Sequence, residues 1–281
     1  MTFKRLEGCN LTGISGVRGM VGARLEAAEA SRLRAYRELA DSHALALRAR
    51  EAAVALLDLA RDVRTTTTRI IAEQCAEVGR RLAAPQVVED LLDLSVNTSF
   101  DPQQVADALR FRGPEVVSAV LARLNNAEER TARRAYFNVA VALGAHPELR
   151  AALVANLNLS LADHRWAVVR NAIALLTALG APLPQDRLWD LAHASQRQVR
   201  LALAGVVARW RPGSAGLELL LALVEDDDAG VRFVATVALG NYAHPEARRA
   251  LRRRARRESD PETKAVCEAG LARRVVEFAG V

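Results

Sequence analysis

The chain has 281 residues, 51% of them apolar and only 4% aromatic, with a formal net charge of +6 and a pI of about 9.9. Such a composition builds its core from closely packed Ala, Leu and Val side chains on helices. It excludes a membrane-spanning helix, because no segment approaches ~18 consecutive apolar residues, and sustained strands, because period-two runs and Asn-Gly turns are missing.

The three cysteines, Cys9, Cys75 and Cys267, are odd in number and far apart. No pair has metal-ligand spacing, so reduced thiols are expected. The run Leu6-Glu7-Gly8-Cys9 lacks the apolar stretch that a lipoprotein signal needs, and no secretory signal is legible, which points to the cytoplasm.

In chain order, residues 1–22 are Gly-rich and aperiodic and read as a flexible leader. Residues 23–96 read as an N-terminal helical cap region. No Gly or Pro occurs from Ala23 to Val78, so residues 23–63 form one long helix, or two with a break. A heptad places Leu33, Ala40, Leu47 and Val54 at one core position, but Tyr36, His43, Arg50 and Leu57 at the other. His43 and Arg50 suit a coiled coil poorly, so a helical hairpin capping the array is the better expectation. Four consecutive threonines, Thr65 to Thr68, mark a bend or linker. Asn97-Thr98-Ser99 followed by Asp101-Pro102 sets a boundary, and residues 97–281 read as a repeat array.

Two landmarks establish the repeat. AHPELRAAL at 145–153 returns as AHPEARRAL at 243–251, an offset of 98 residues, or three units of about 33. An apolar-basic pair recurs at Val169-Arg170, Val199-Arg200, Val231-Arg232 and, weakly, Thr263-Lys264, with Arg134 opening an earlier copy. Each unit divides into two helices. In one, Leu217, Leu220, Leu221 and Val224 share a face. Asp226 to Asp228 form the turn and cap the next helix. Val231, Val234, Ala235, Ala238 and Leu239 form the second apolar face. Gly240-Asn241 provides a stop that tolerates the left-handed conformation, and Pro245 opens the next unit.

The Asp-rich turn followed by Val231-Arg232 and alternating small and large apolar residues to Gly240 resembles HEAT repeats, as does Asp163 through Gly180. The resemblance covers about five units from Pro102 to Arg274. The unit at 182–210 departs from it, with Gln196 in place of the turn Asp and Trp210 in place of the closing Gly. The resemblance implies an all-α fold, a right-handed α-α superhelix or HEAT-like solenoid with a helical N-terminal cap. It implies a ladder between turn carboxylates and the arginines Arg170, Arg200 and Arg232. It also implies a concave surface lined by second helices, with Asn138, Trp166, Arg170, Asn171 and Arg200 on or near it.

No catalytic signature is legible: there is no Gly-rich phosphate loop, HExxH or Gly-x-Ser-x-Gly. The five histidines are scattered, and no cofactor or metal is implied. The local anomaly is residues 246–258, which hold seven Arg and two Glu. On a helix Arg249, Arg252, Arg253, Arg256 and Arg257 spread over about 140°, with Arg248 at the margin. Only Arg254 falls on the packed side, where its head can snorkel. That face suits phosphates or an acidic protein partner, and equally a solvated end cap. A non-catalytic scaffold or adaptor for a protein partner is the expected function. Nucleic-acid binding through the Arg-rich helix is the alternative. Helical arrays of this kind also include DNA alkylation-repair glycosylases and bilin lyases, which would require two of Trp166, Trp189 and Trp210 to converge with a carboxylate in one cleft.

Overall fold

The computed structural model describes residues 30–41, 48–65, 69–97, 100–210 and 214–272. The expected leader, most of the Thr run, Pro212 and the tail from residue 273 lie outside the described residues. All regular structure among the described residues is helical, and none of these helices is long and apolar enough to cross a membrane. The chain divides into two compact units, Met1–Val116 and Val117–Val281.

The first unit is organised around α2 (Ala49–Thr65), which packs against α3 (Arg69–Leu82), α4 (Pro85–Asn97) and α5 (Pro102–Leu109). Ala52, Ala53, Leu56 and Leu59 of α2 are fully buried, each leucine contributing about 1.5–3 kcal/mol. The helix α1, residues 30–40, runs antiparallel to α2. Tyr36 donates to Asp58 Oδ2 at 3.1 Å, and Arg32 lies 3.5 Å from Asp62. As position rises on one helix it falls on the other, so the stretch 23–63 folds back within the chain where it is described. Burial, reinforced by the Asp58 charge, pushes the Tyr36 phenol up to about 12. A 3-10 segment, Arg110–Glu115, follows α5 directly, and both fall within this unit.

The second unit is a series of helical hairpins. These pair α6 (Val116–Asn126) with α7 (Arg130–Leu143), α8 (Pro147–Ser160) with α9 (Trp166–Ala178), and the short α10 (Leu188–Ala192) with α11 (Arg197–Val207). They continue with α12 (Ser214–Leu223) and α13 (Ala229–Leu239), then α14 (Pro245–Arg257) and α15 (Pro261–Ala272). Successive second helices, α7, α9, α11, α13 and α15, touch one another, as do α10, α12 and α14. This gives two layers. From α9 onward the second helices pack more extensively on one another than the first helices do.

Local chemistry explains the hairpins. Pro occupies the first turn of α5, α8 and α14, where its missing N–H has no partner to lose. Asp228 accepts from Val231 N at 3.2 Å and Asp260 from Thr263 N at 2.8 Å, capping α13 and α15. In α12 the buried face is Leu217, Leu219, Leu220 and Leu223, with Val224 buried just beyond it, and the expected Leu221 is only half-buried. Gly240 corrects a second expectation. Its φ is −62°, so it is not a left-handed stop. A Cβ there would lie 3.4 Å from the Gly270 backbone, where α13 and α15 cross. Left-handed glycine is found instead at Gly180, φ 65°.

Candidate functional site

The second helices begin at Trp166, Arg197, Ala229 and Pro261, in steps of 31, 32 and 32 residues. Numbering each from its first residue aligns the burial pattern, with Val168, Val199 and Val231 all buried at the third position. The fourth position is Arg133 in α7, Val169 in α9, Arg200 in α11, Arg232 in α13 and Lys264 in α15.

Arg200 and Arg232 build two equivalent rungs. Arg200 donates Nε and Nη2 to the Asp226 carboxylate at 2.6 and 2.9 Å, while Nη1 donates to the carbonyls of Ala194 and Ser195. Arg232 donates in the same way to Glu258 at 2.8 and 2.9 Å and to the carbonyls of Asp226 and Asp227. Each guanidinium thus closes its own turn and forks the turn carboxylate of the next hairpin. Glu258 is fully enclosed, and the Arg232 hydrogen bonds hold its carboxyl down at about 2. Arg254 lies 3.0 Å from Glu258 as a second cation, although its Nε–H is not aligned for a hydrogen bond.

Arg170 is not a rung, which corrects the expected ladder. It is the fifth residue of α9, and one residue rotates a side chain by about 100° around a helix. The rung is absent at both ends: Val169 stands where the arginine would be, and Ala194 occupies the carboxylate position of the following turn. A lone charge at either end would be left unpaired in a semi-buried site. The two apolar residues line a cleft of ≈ 350 Å³ with Trp166, Asp163, Asp190 and Gln196. Asp163 serves its own turn, accepting from Arg165 N at 2.8 Å and pairing with the Arg165 side chain at 3.2 Å. These contacts hold its carboxyl below the usual range.

The fifth and ninth residues of the second helices face outward from the layer. In α7 they are Arg134 and Asn138, both exposed, and in α9 Arg170 and Ala174. Farther along they become Leu201 and Gly205, Phe233 and Val237, then Ala265 and Ala269. Leu201 and Val237 are 40% and 42% exposed. The stripe is basic and polar at one end and uncharged across the last three helices. Sequence reasoning missed this stripe, and the helix starts are the signal that exposes it. Two expected surface residues do not belong to it. Asn171 is buried, with Nδ2 donating to Asn125 Oδ1 at 3.1 Å, and Arg200 is held in its rung.

The Arg-rich segment forms α14 and docks through Ala247, Ala250 and Leu251. Arg249, Arg252, Arg253, Arg256 and Arg257 are exposed, and none pairs with a carboxylate among the described residues. Arg248 differs: it donates to Leu271 O at 3.0 Å and so ties α14 to α15. Arg254 does not snorkel into solvent but pairs with Glu258 and Glu225. The tryptophans are also distributed. Trp166 carries the Arg170 guanidinium 5.3 Å from its ring centroid, and Trp189 stacks on His193 at 5.8 Å. Of the three, Trp166 alone lines the cleft described above.

Two layers of stacked hairpins joined by Arg–carboxylate rungs define a helical-repeat protein. Residues 186–272, which include the hairpins α10–α11, α12–α13 and α14–α15, match the family model of HEAT repeats. No curated protein matches the chain.

Proposed function

We propose that this protein is a non-catalytic scaffold that holds a protein partner against the inner face of its second helices. The observation that carries this reading is the uncharged stripe Leu201, Phe233, Val237, Ala265 and Ala269, which runs across three consecutive helices. An apolar band bordered by polar residues marks a protein-binding surface, and the inner face is where helical arrays bind. The test compares proteins retained by the wild type with those retained by Leu201→Glu/Val237→Glu. Both side chains are exposed, so the variant keeps its thermal stability to within about 0.5 kcal/mol. A partner held by the wild type and lost from the variant supports the reading. Identical retention refutes it.

The exposed arginines of α14 favour a second reading, binding of nucleic-acid phosphates. If five phosphates are met, the logarithm of affinity falls against the logarithm of salt with a slope of about −4 to −5. Changing Arg249, Arg252, Arg253 and Arg256 to Gln abolishes such binding. The reading is discarded if the wild type binds neither a generic duplex nor a generic single strand at moderate salt.

A further inference from the structure

We propose that the cleft between the turns leading into α9 and α11 anchors an uncharged phenolic side chain, a tyrosine of the protein partner. This rests on the scaffold reading above and names one residue that the partner brings.

The same position in the next two hairpins is served from within the chain. Arg200 and Arg232 each donate Nη1 to the carbonyls three and two residues before their own helix starts. These are Ala194 and Ser195 in one turn, Asp226 and Asp227 in the next. The equivalent carbonyls before α9 are those of Asp163 and His164. Val169 has no donor to reach them, and they accept from no group among the described residues. Trp166 lines the same cleft, and its indole N–H reaches no acceptor among the described residues.

The lining differs from that of its neighbour in charge. The following inter-turn cleft, ≈ 430 Å³, is lined by Arg200, Glu225, Asp226 and Asp227, and so contains the Arg200–Asp226 fork. In the ≈ 350 Å³ cleft Val169 and Ala194 stand in place of that pair, beside Leu161, Leu191 and Val199. Its carboxylates are already engaged: Asp163 pairs with Arg165 at 3.2 Å and Asp190 with Arg187 at 3.7 Å. A cationic side chain finds no free carboxylate there, and an anionic one meets two acids. What remains is an apolar volume edged by two carbonyl acceptors and one N–H donor. A phenol matches both parts. Its ring covers apolar surface, and its hydroxyl can donate to a carbonyl and accept from an indole N–H. A purely apolar side chain leaves those polar groups without partners.

The probe is p-cresol, the tyrosine side chain in isolation, titrated into the isotope-labelled full chain and followed by amide chemical shifts. Saturable shifts at Trp166, Val169, Leu191 and Ala194 are expected, with a Kd of about 1–10 mM. Toluene, which lacks the hydroxyl, binds about fivefold more weakly, and butylguanidinium does not compete. A short capped peptide of glycine and serine around one tyrosine binds at least as tightly as p-cresol, and its phenylalanine twin about fivefold more weakly. Ala194→Leu fills the cleft with an uncharged side chain, and Val169→Arg/Ala194→Asp fills it with a rebuilt rung. Both keep the dispersed spectrum of the folded chain and lose binding.

The proposal is overturned if p-cresol shifts nothing in the cleft, if toluene binds as tightly, or if butylguanidinium binds more tightly. It is also overturned if p-cresol binds and the tyrosine peptide does not, which leaves a site for a free phenol, or if folded Ala194→Leu still binds. Leu201 and Val237 lie outside the cleft lining, so Leu201→Glu/Val237→Glu keeps p-cresol binding and separates the two readings. A partner lost from that variant, with no p-cresol bound by the wild type, sinks the anchor alone. Unchanged partner retention sinks the scaffold reading whatever p-cresol does.

Discussion

Replacing Glu258 with Gln tests whether the rungs carry the stability of the second unit. In the folded protein this carboxylate is fully enclosed and accepts two bonds from Arg232, with Arg254 3.0 Å away. Its pKa falls from 4.5 to about 2, and a displacement of that size corresponds to about 3 kcal/mol of stability near neutrality. Because the folded value lies below the unfolded one, the contribution is complete above pH 4.5 and drains away as the pH falls towards 2. Urea unfolding followed by circular dichroism is expected to place Glu258→Gln about 3 kcal/mol below the wild type at pH 7. At pH 3 the gap narrows to about 1 kcal/mol, since the unfolded carboxyl is by then protonated. Arg232→Met with Glu258→Leu recovers much of the loss, because an apolar pair leaves less charge stranded. A gap below about 1 kcal/mol at pH 7, or one that does not narrow with acid, would refute the assignment of Glu258 as a stabilising rung.

Three further perturbations check other parts of the structure. Gly79→Ala places a Cβ 2.8 Å from the buried Phe111 ring. It lowers the melting temperature despite a helix-propensity gain of about 1 kcal/mol, and Phe111→Leu in the same chain restores it. Val169→Arg and Ala194→Asp each destabilise alone by setting a charge in the cleft without its rung partner. Together they rebuild the missing rung, with a coupling of about 1–2 kcal/mol in a double-mutant cycle of unfolding free energies. Arg248→Met weakens the α14–α15 tie to Leu271 O by about 1 kcal/mol, measured by denaturant midpoint, while Arg252→Met, on the exposed face, changes it by less than about 0.5 kcal/mol.

Much of the architecture is legible because its signals are local. Pro147, Pro245, Asp228 and Asp260 act on the helix starts that contain them, and the repeated Ala-His-Pro-Glu segments show the period without any knowledge of packing. The register within the period was less accessible. Counting from one arginine to the next makes Arg170 the equivalent of Arg200, a step of 30. The helix starts differ by 31, and that one residue moves Arg170 off the rung. Charge pattern alone likewise grouped Arg248 with the exposed arginines and left the head of Arg254 to snorkel. Their carbonyl and carboxylate partners lie on other segments, so their roles depend on which helices meet.

The sequence by itself determined that the array is a stack of helical hairpins, that two of them begin at Pro147 and Pro245, and that one helix carries an exposed arginine face. Those features follow from caps, turn chemistry and apolar periodicity, which act over a few residues. Tertiary structure alone decided that Glu258 is the buried partner of Arg232, that Gly240 and Gly270 meet backbone to backbone, and that Asn171 is interior. It also placed an unpaired guanidinium beside Trp166 at the head of an apolar stripe. Such facts depend on the rotation of each helix against its neighbours, and packing fixes that rotation across residues about 30 positions apart in the chain.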